Sequence, residues 1–143
     1  MLKKRKGSGA EAGFTLLELL VVLAILGLLA AIIAPTVLRY LGSSRTKTAQ
    51  VQIQNVMGAL ELYRLDVGRY PTPAEGLKAL VTAPQSAAGW NGPYLPRETA
   101  LMDPWGNPYH YVVPGAHGEV DIYSLGSDNA QGGTGEAQDV GNW

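Results

Sequence analysis

From Phe14 to Ala34 the chain runs for twenty-one residues with a single charged side chain, Glu18. As a helix rising about 1.5 Å per residue, this stretch spans about 31 Å and matches a bilayer hydrocarbon core of roughly 30 Å. It occupies a sizeable part of a 143-residue chain that has room for about one domain, so the remaining core must be small. A basic leader followed by an apolar run also opens a secretory signal peptide. Two features speak against removal of the run. It is longer than the apolar region of about 7–15 residues in such a signal. Its end, "AAIIAPTVLRY", continues into a helix-like pattern where a polar cleavage region would stand.

Charge is unevenly placed. Lys3, Lys4, Arg5 and Lys6 against Glu11 give residues 1–13 a charge of +3, which leaves −4 on the remainder of a chain whose formal net charge is −1. An acidic body with no later cluster of Lys and Arg, and no interleaving of aromatic and basic residues, argues against nucleic acid as a partner. The absence of cysteine removes disulfides, thiolate nucleophiles and Cys-type zinc sites. Four contiguous basic residues precede the span, whereas Arg39, Arg45 and Lys47 are spread along the pattern that follows it. The positive-inside rule therefore places the N-terminus in the cytoplasm.

Ala49, Ile53, Val56, Leu60, Tyr63 and Val67 follow one another at steps of four and three, which draws one apolar stripe down a helix. Span and stripe together predict one helix of about fifty residues, weakened at Pro35 and at the "GSS" of residues 42–44. It ends near "DVGRYPTP", where Gly68 offers a cap and Pro71 and Pro73 forbid continuation. Thr72, Pro73 and Glu75 then have the spacing of a capping box and predict a short helix through about Val81.

"PYHYVV" and "EVDIYSL", joined by "PGAHG", read as a hairpin. Trp90, Tyr94, Trp105 and Tyr109 read as core for a body short of large side chains. Asp103, Pro104, Gly106 and Asn107 read as turn formers. His110 and His117 have no nucleophile or acid at a spacing that makes a catalytic set. The Gly-rich acidic tail, residues 126–143, cannot be helix or strand for long.

The segment "GFTLLELLVVLAILGLLAAIIAP" resembles the prepilin signal shared by type IV pilins and type II secretion pseudopilins, carried by Gly13, Phe14, Glu18 and Pro35 after a basic leader. The motifs "RYPTPAEGLKAL", "GWNGPYL", "DPWGNPYHY" and "DIYSLGSDNAQGGTGEAQDVGNW" narrow the resemblance to the major pseudopilins of type II secretion. It extends over nearly the whole mature chain. The resemblance implies an α+β, type IV pilin-like fold in which a long N-terminal helix packs on a small antiparallel sheet, with a calcium-binding C-terminal loop. It implies a cleaved leader (1–13), a transmembrane helix and filament core (14–34), an amphipathic continuation (35–67) and a periplasmic body (68–143). A prepilin peptidase would cut after Gly13 and methylate the amine of Phe14.

An ionised carboxylate in a membrane helix costs about 2.5–3.5 kcal/mol on insertion scales, so it usually faces a partner. The new amine, one helical turn from Glu18, would be that partner, within the chain or, as the resemblance favours, on a neighbouring subunit. Local unwinding after Pro35 is also implied. The subunit so described is not an enzyme. It polymerises with copies of itself, with minor pseudopilins and with an inner-membrane assembly platform into a periplasmic filament that helps export folded proteins. A type IV pilin for adhesion, motility or DNA uptake is the alternative within this class, and a single-pass membrane-anchored enzyme or binding module is the competitor outside it.

The tail is the second candidate site. Asp128, Asn129, Thr134, Glu136, Gln138 and Asp139 supply the oxygen chemistry of Ca2+, yet the loop fits neither the EF-hand nor the calcium nonapeptide pattern. From the residues alone a solvated acidic loop is the better reading. The resemblance reverses it and implies Asp128 and Asp139 as carboxylate ligands, Leu125 as a carbonyl ligand, and Gln138 where relatives often carry an acid.

Overall fold

The computed structural model describes residues 13–143, so the basic leader lies outside the described residues. One helix, α1 (Leu16–Val67), carries the span and the stripe without a break. The chain divides into two units that meet between Leu38 and Arg39, and α1 contributes to both. In the first unit every described residue is exposed, including a series of large apolar side chains from Phe14 to Leu38. Among the described residues, α1 is the one helix with the length and composition to cross a membrane.

Pro35 lies inside α1 and removes the backbone donor that would reach the carbonyl of Ala31. Helix nevertheless continues through Pro35 and through residues 42–44, so the unwinding implied after Pro35 is not a feature of this structure. The second weak point keeps a mark. Thr46 Oγ1 donates to the Gly42 carbonyl at 3.2 Å and Thr48 Oγ1 to the Ser44 carbonyl at 2.9 Å. Hydroxyls that bond back four residues compete with the helix's own amides and slightly weaken it.

In the second unit the stripe is the floor of the core. Ala49, Ile53, Val56, Ala59, Leu60 and Tyr63 are buried, and Val67 packs at the edge. Gly68 closes the helix at φ +83, its amide donating to the Arg64 carbonyl at 2.8 Å. The conformation is the left-handed C-terminal cap that glycine favours.

The expected capping box forms: the Thr72 amide donates to Glu75 Oε2 at 2.7 Å and the Glu75 amide to Thr72 Oγ1 at 3.3 Å. The α-helix expected after it does not form. Gly76, at φ 58 and ψ −167, is far from helical, so the box closes a turn and only a 3-10 helix follows, Leu77–Leu80. Glu75 is drawn to a different task. Arg69 grips it with two donors, at 2.7 and 2.9 Å, and with this bidentate pair holds the Glu75 carboxyl well below the usual carboxylate range, against the effect of burial.

Three strands cover the stripe: β1 (His110–Val112), β2 (Asp121–Ser124) and β3 (Val140–Gly141), antiparallel in the order β1-β2-β3. The predicted hairpin is β1 and β2, with Tyr111 opposite Ile122. The third strand, only two residues long, pairs Tyr123 with Gly141 and Ser124 with Val140. Asn142 extends that pairing with a side chain. Its Oδ1 accepts from the Ile122 amide at 2.9 Å, and its Nδ2 donates to the Val120 carbonyl at 3.0 Å.

Leu77, Leu80, Tyr109, Val120, Ile122 and Val140 complete the core over α1. Trp90, Tyr94 and Trp105 pack against it, as expected of core aromatics. Trp90 Nε1 donates to the Ala79 carbonyl at 2.8 Å, and the Tyr94 ring meets Tyr63 and Trp90 edge-on, with centroids 5.7 and 5.6 Å away.

Candidate functional site

The N-terminal candidate begins at Gly13, which has open space where a side chain would stand, and at Phe14, which is 80% exposed. Glu18 is held locally. Its Oε2 accepts from the Thr15 amide at 2.8 Å and from Thr15 Oγ1 at 3.0 Å, while the Glu18 amide donates to Thr15 Oγ1 at 3.2 Å. Leu19 donates to the Thr15 carbonyl at 3.2 Å, which makes Thr15 the residue that caps α1. "TLLE" is therefore a capping box, a role absent from the sequence reading above although the Thr-x-x-Glu spacing signals it. The box uses Oε2 for both Thr15 bonds, and it fixes the carboxylate one turn from the amine that cleavage after Gly13 would create. Pro35 stands nineteen residues into α1, on the exposed part of the helix, and no described contact brings it to Glu18.

The second candidate is the segment that leaves β2 and returns as β3. Leu125 precedes a 3-10 turn, Gly126–Asp128, and a second such turn, Gly135–Ala137, leads to Gln138 and Asp139. The two halves touch at Gly126. At φ +70 it lies so close to the returning chain that a Cβ there would stand 2.6 Å from the Glu136 carbonyl oxygen and 2.9 Å from that of Gln138. Thus the structure brings the segment of Leu125 and Asp128 against the segment of Gln138 and Asp139.

Asp139 is the informative side chain. Its Oδ2 accepts from the Gly132 amide at 3.0 Å, while its Oδ1 is buried and has no hydrogen-bond partner. An unpartnered buried carboxylate oxygen is costly unless a cation or a donor meets it. Asp128 is exposed and accepts from the Ala130 amide at 3.2 Å, and Gln138 is exposed. Glu136 takes no part in that group, because its side chain lies over Gly42 of α1. Among the described residues no three His, Cys, Asp or Glu side chains gather as a metal cluster, so a hard cation here would draw further oxygens from the backbone. The orphaned Asp139 oxygen in a loop of close-set carbonyls fits such an ion.

Gly42 is the sole buried residue of α1 before Ala49, and a Cβ there would stand 2.4 Å from Glu136 Cγ. Helix propensity alone makes Gly42→Ala stabilising by about 1 kcal/mol. We expect this gain to appear in a Glu136→Ala background and to be largely lost when Glu136 is present, a coupling of about 1 kcal/mol measurable by a double-mutant cycle. Additive effects would contradict the contact.

His117 and His110 carry no catalytic geometry. The His117 ring lies 3.0 Å from Asp121 Oδ2 and stacks on Trp143 at 3.9 Å, and His110 stacks on Tyr123 at 4.8 Å. Burial alone would raise the Asp121 carboxyl. Hydrogen bonds from the His117 ring and from the amides of Ala116 and His117 hold it below its ordinary value instead.

An exposed apolar helix that opens on Gly-Phe, carries its glutamate at the fifth position after the glycine, and continues as the floor of a small α+β body defines a pilin-type subunit. A profile described as the prokaryotic N-terminal methylation motif matches residues 9–34, and one described as type II secretion system (T2SS), protein G, matches residues 36–143. The type II secretion system core protein G of Pseudomonas aeruginosa is 42% identical over 137 residues, covering 93% of this chain and 95% of the relative. That of Vibrio cholerae is 42% identical over 146 residues, covering 100% and 96%. The crystal structure of the major pseudopilin from the type 2 secretion system of enterohaemorrhagic Escherichia coli superposes with a TM-score of 0.61 at 31% identity, covering 71% of this chain and 88% of that one. The chain belongs to the type II secretion system protein G family.

Proposed function

We propose that this protein is the major structural subunit of a type II secretion pseudopilus, anchored in the bacterial inner membrane with its N-terminus in the cytoplasm and the body after α1 in the periplasm. The observation that carries the reading is the conjunction of a methylation motif over residues 9–34 with protein G similarity over residues 36–143. The second match favours a secretion filament over a type IV pilin. In the membrane the exposed side chains of Phe14 to Leu38 face lipid, and in the filament they face the same segments of other copies, so apolar contact is kept throughout assembly. Glu18 then meets the Phe14 amine of a neighbour. Minor pseudopilins, a prepilin peptidase and an inner-membrane assembly platform are the further partners, and we assign the subunit no catalysis.

Calcium belongs to the same reading. We place it at the C-terminal loop, held by the carboxylates of Asp128 and Asp139 and the Leu125 carbonyl, with Gln138 beside them. Bound there, the ion supplies positive charge that offsets the carboxylates and the ordering entropy of a loop with little apolar surface to bury. Asp139 is already oriented for this role by the Gly132 amide.

Two measurements test the proposal. Co-expression with a prepilin peptidase and the secretion machinery is expected to give thin filaments built of this subunit, and a product that stays monomeric under those conditions overturns it. Intact mass of the protein from its own membrane is expected to correspond to a chain that begins at Phe14 and carries one methyl group. A retained leader, or a cut near Pro35, counts against it.

A further inference from the structure

Behind the C-terminal loop lies a buried acid that turn formation does not explain. Asp103 is 5% exposed, and among the described residues it forms no ion pair. Its Oδ1 accepts from the amides of Trp105 at 3.0 Å and Asn107 at 2.8 Å, which closes the "DPWGN" turn. Asparagine would serve that purpose without the cost of burying a charge. The other oxygen, Oδ2, leaves the turn altogether and accepts from the hydroxyl of Ser124, a residue of β2 that is wholly buried. Ser124 Oγ in turn accepts from the Gly126 amide at 3.1 Å.

The chain of bonds thus runs from the turn, through β2, to Gly126, where the outgoing and returning halves of the loop come close together. A charged acceptor is roughly twice as strong as a neutral one, so the carboxylate fixes the rotation of the Ser124 hydroxyl and leaves its lone pairs facing Gly126. Gly126 cannot retreat the other way, because the carbonyls of Glu136 and Gln138 stand against its Cα. Leu125 is the residue before it, and Asp139 follows Gln138. The position of the Gly126 amide therefore sets how far the Leu125 carbonyl stands from the Asp139 carboxylate.

We propose that Asp103 and Ser124 are positioning residues for the cation loop: they touch no ion themselves, but hold Gly126 so that Leu125 and Asp139 converge on one. The proposal rests on the calcium reading given above and adds two residues to it. It makes the "DPWGN" turn, a distant stretch of sequence, part of the machinery that sets cation affinity.

The test is calcium titration by calorimetry of the full chain in detergent, for the unaltered protein, Ser124→Ala and Ser124→Thr, with hydrogen exchange of the Gly126 amide followed in chelator. Ser124→Ala removes the relay and leaves the Asp103 turn intact. It is expected to raise the calcium Kd by about tenfold or more, the usual effect of losing a group that orients a ligand. It should also speed exchange at Gly126 with no metal present. Ser124→Thr keeps the hydroxyl and is expected to bring Kd back to within about threefold of the unaltered chain. A Ser124→Ala Kd within twofold of the unaltered protein, with Gly126 exchange unchanged, overturns the relay while leaving the calcium site standing. Failure of the unaltered chain to bind calcium overturns the site and the relay together. Should Ser124→Ala not fold, the comparison passes to Asp103→Asn, which keeps the acceptor for the turn and presents the wrong group to Ser124; an unchanged Kd there overturns the relay equally.

Discussion

Filaments are expected to be nearly absent when Glu18 is replaced by Gln, although the variant inserts in the membrane and is cleaved as usual. The capping box makes the substitution selective. Glutamine also serves at the third position of such a box, so the Thr15 bonds that start α1 survive while the charge is lost. On the proposed pairing, what disappears is the partner of the Phe14 amine. Removing one member of a buried ion pair costs about 3–5 kcal/mol because the other is left uncompensated, and here the penalty falls on every subunit added. A loss of that size raises the concentration needed for assembly by more than about a hundredfold. Sedimentation and electron microscopy of filaments from cells that also make the peptidase give the measurement. Normal filament abundance with Glu18→Gln would show that the carboxylate acts as a cap alone.

The second large effect concerns the loop. If the proposed site holds calcium, the unaltered protein at about a hundred times the Kd is expected to gain roughly 2.7 kcal/mol, which for a body of this size corresponds to a rise in Tm on the order of 10 °C. Asp139→Ala is expected to abolish the rise. In chelator the difference should be small, since the substitution removes an oxygen that is buried without a partner while depriving the Gly132 amide of its acceptor. Asp128→Ala should reduce the rise as well, and both should lower filament yield. Equal melting temperatures for the unaltered chain in calcium and in chelator would remove the ion from the account.

The elements legible in the sequence are those whose causes are local. The apolar steps from Ala49 to Val67 drew the buried face of α1, Gly68 marked its end, and the hairpin stood where two β-rich runs flank a turn. The Thr72 and Glu75 capping box is legible as well, but its consequence is not. A box normally opens an α-helix, and here Gly76 and the pull of Arg69 on Glu75 turn it into a corner. Strand β3 escaped notice because two residues carry no period. Its existence depends on Tyr123 and Ser124, some eighteen residues earlier. The same holds for the sites. Gly13, Phe14 and Glu18 lie within six residues of one another and could be read together, whereas nothing local to Asp103 announces Ser124, and nothing local to Glu136 announces Gly42. Contacts made across long stretches of chain leave no mark on either stretch alone.

The side chain of Asn142 binds both Ile122 and Val120, and β3 immediately precedes it. Everything these residues fasten is made before them. During synthesis one edge of β2 therefore stays open until residue 142 has been made, long after α1 is complete. A chain halted short of that point keeps β2 paired with β1 on one side but presents its other edge open and the loop unfastened. Any protease that patrols the membrane surface would meet it in that state, and the supply of subunits to a growing filament would be limited to chains translated at least through Asn142.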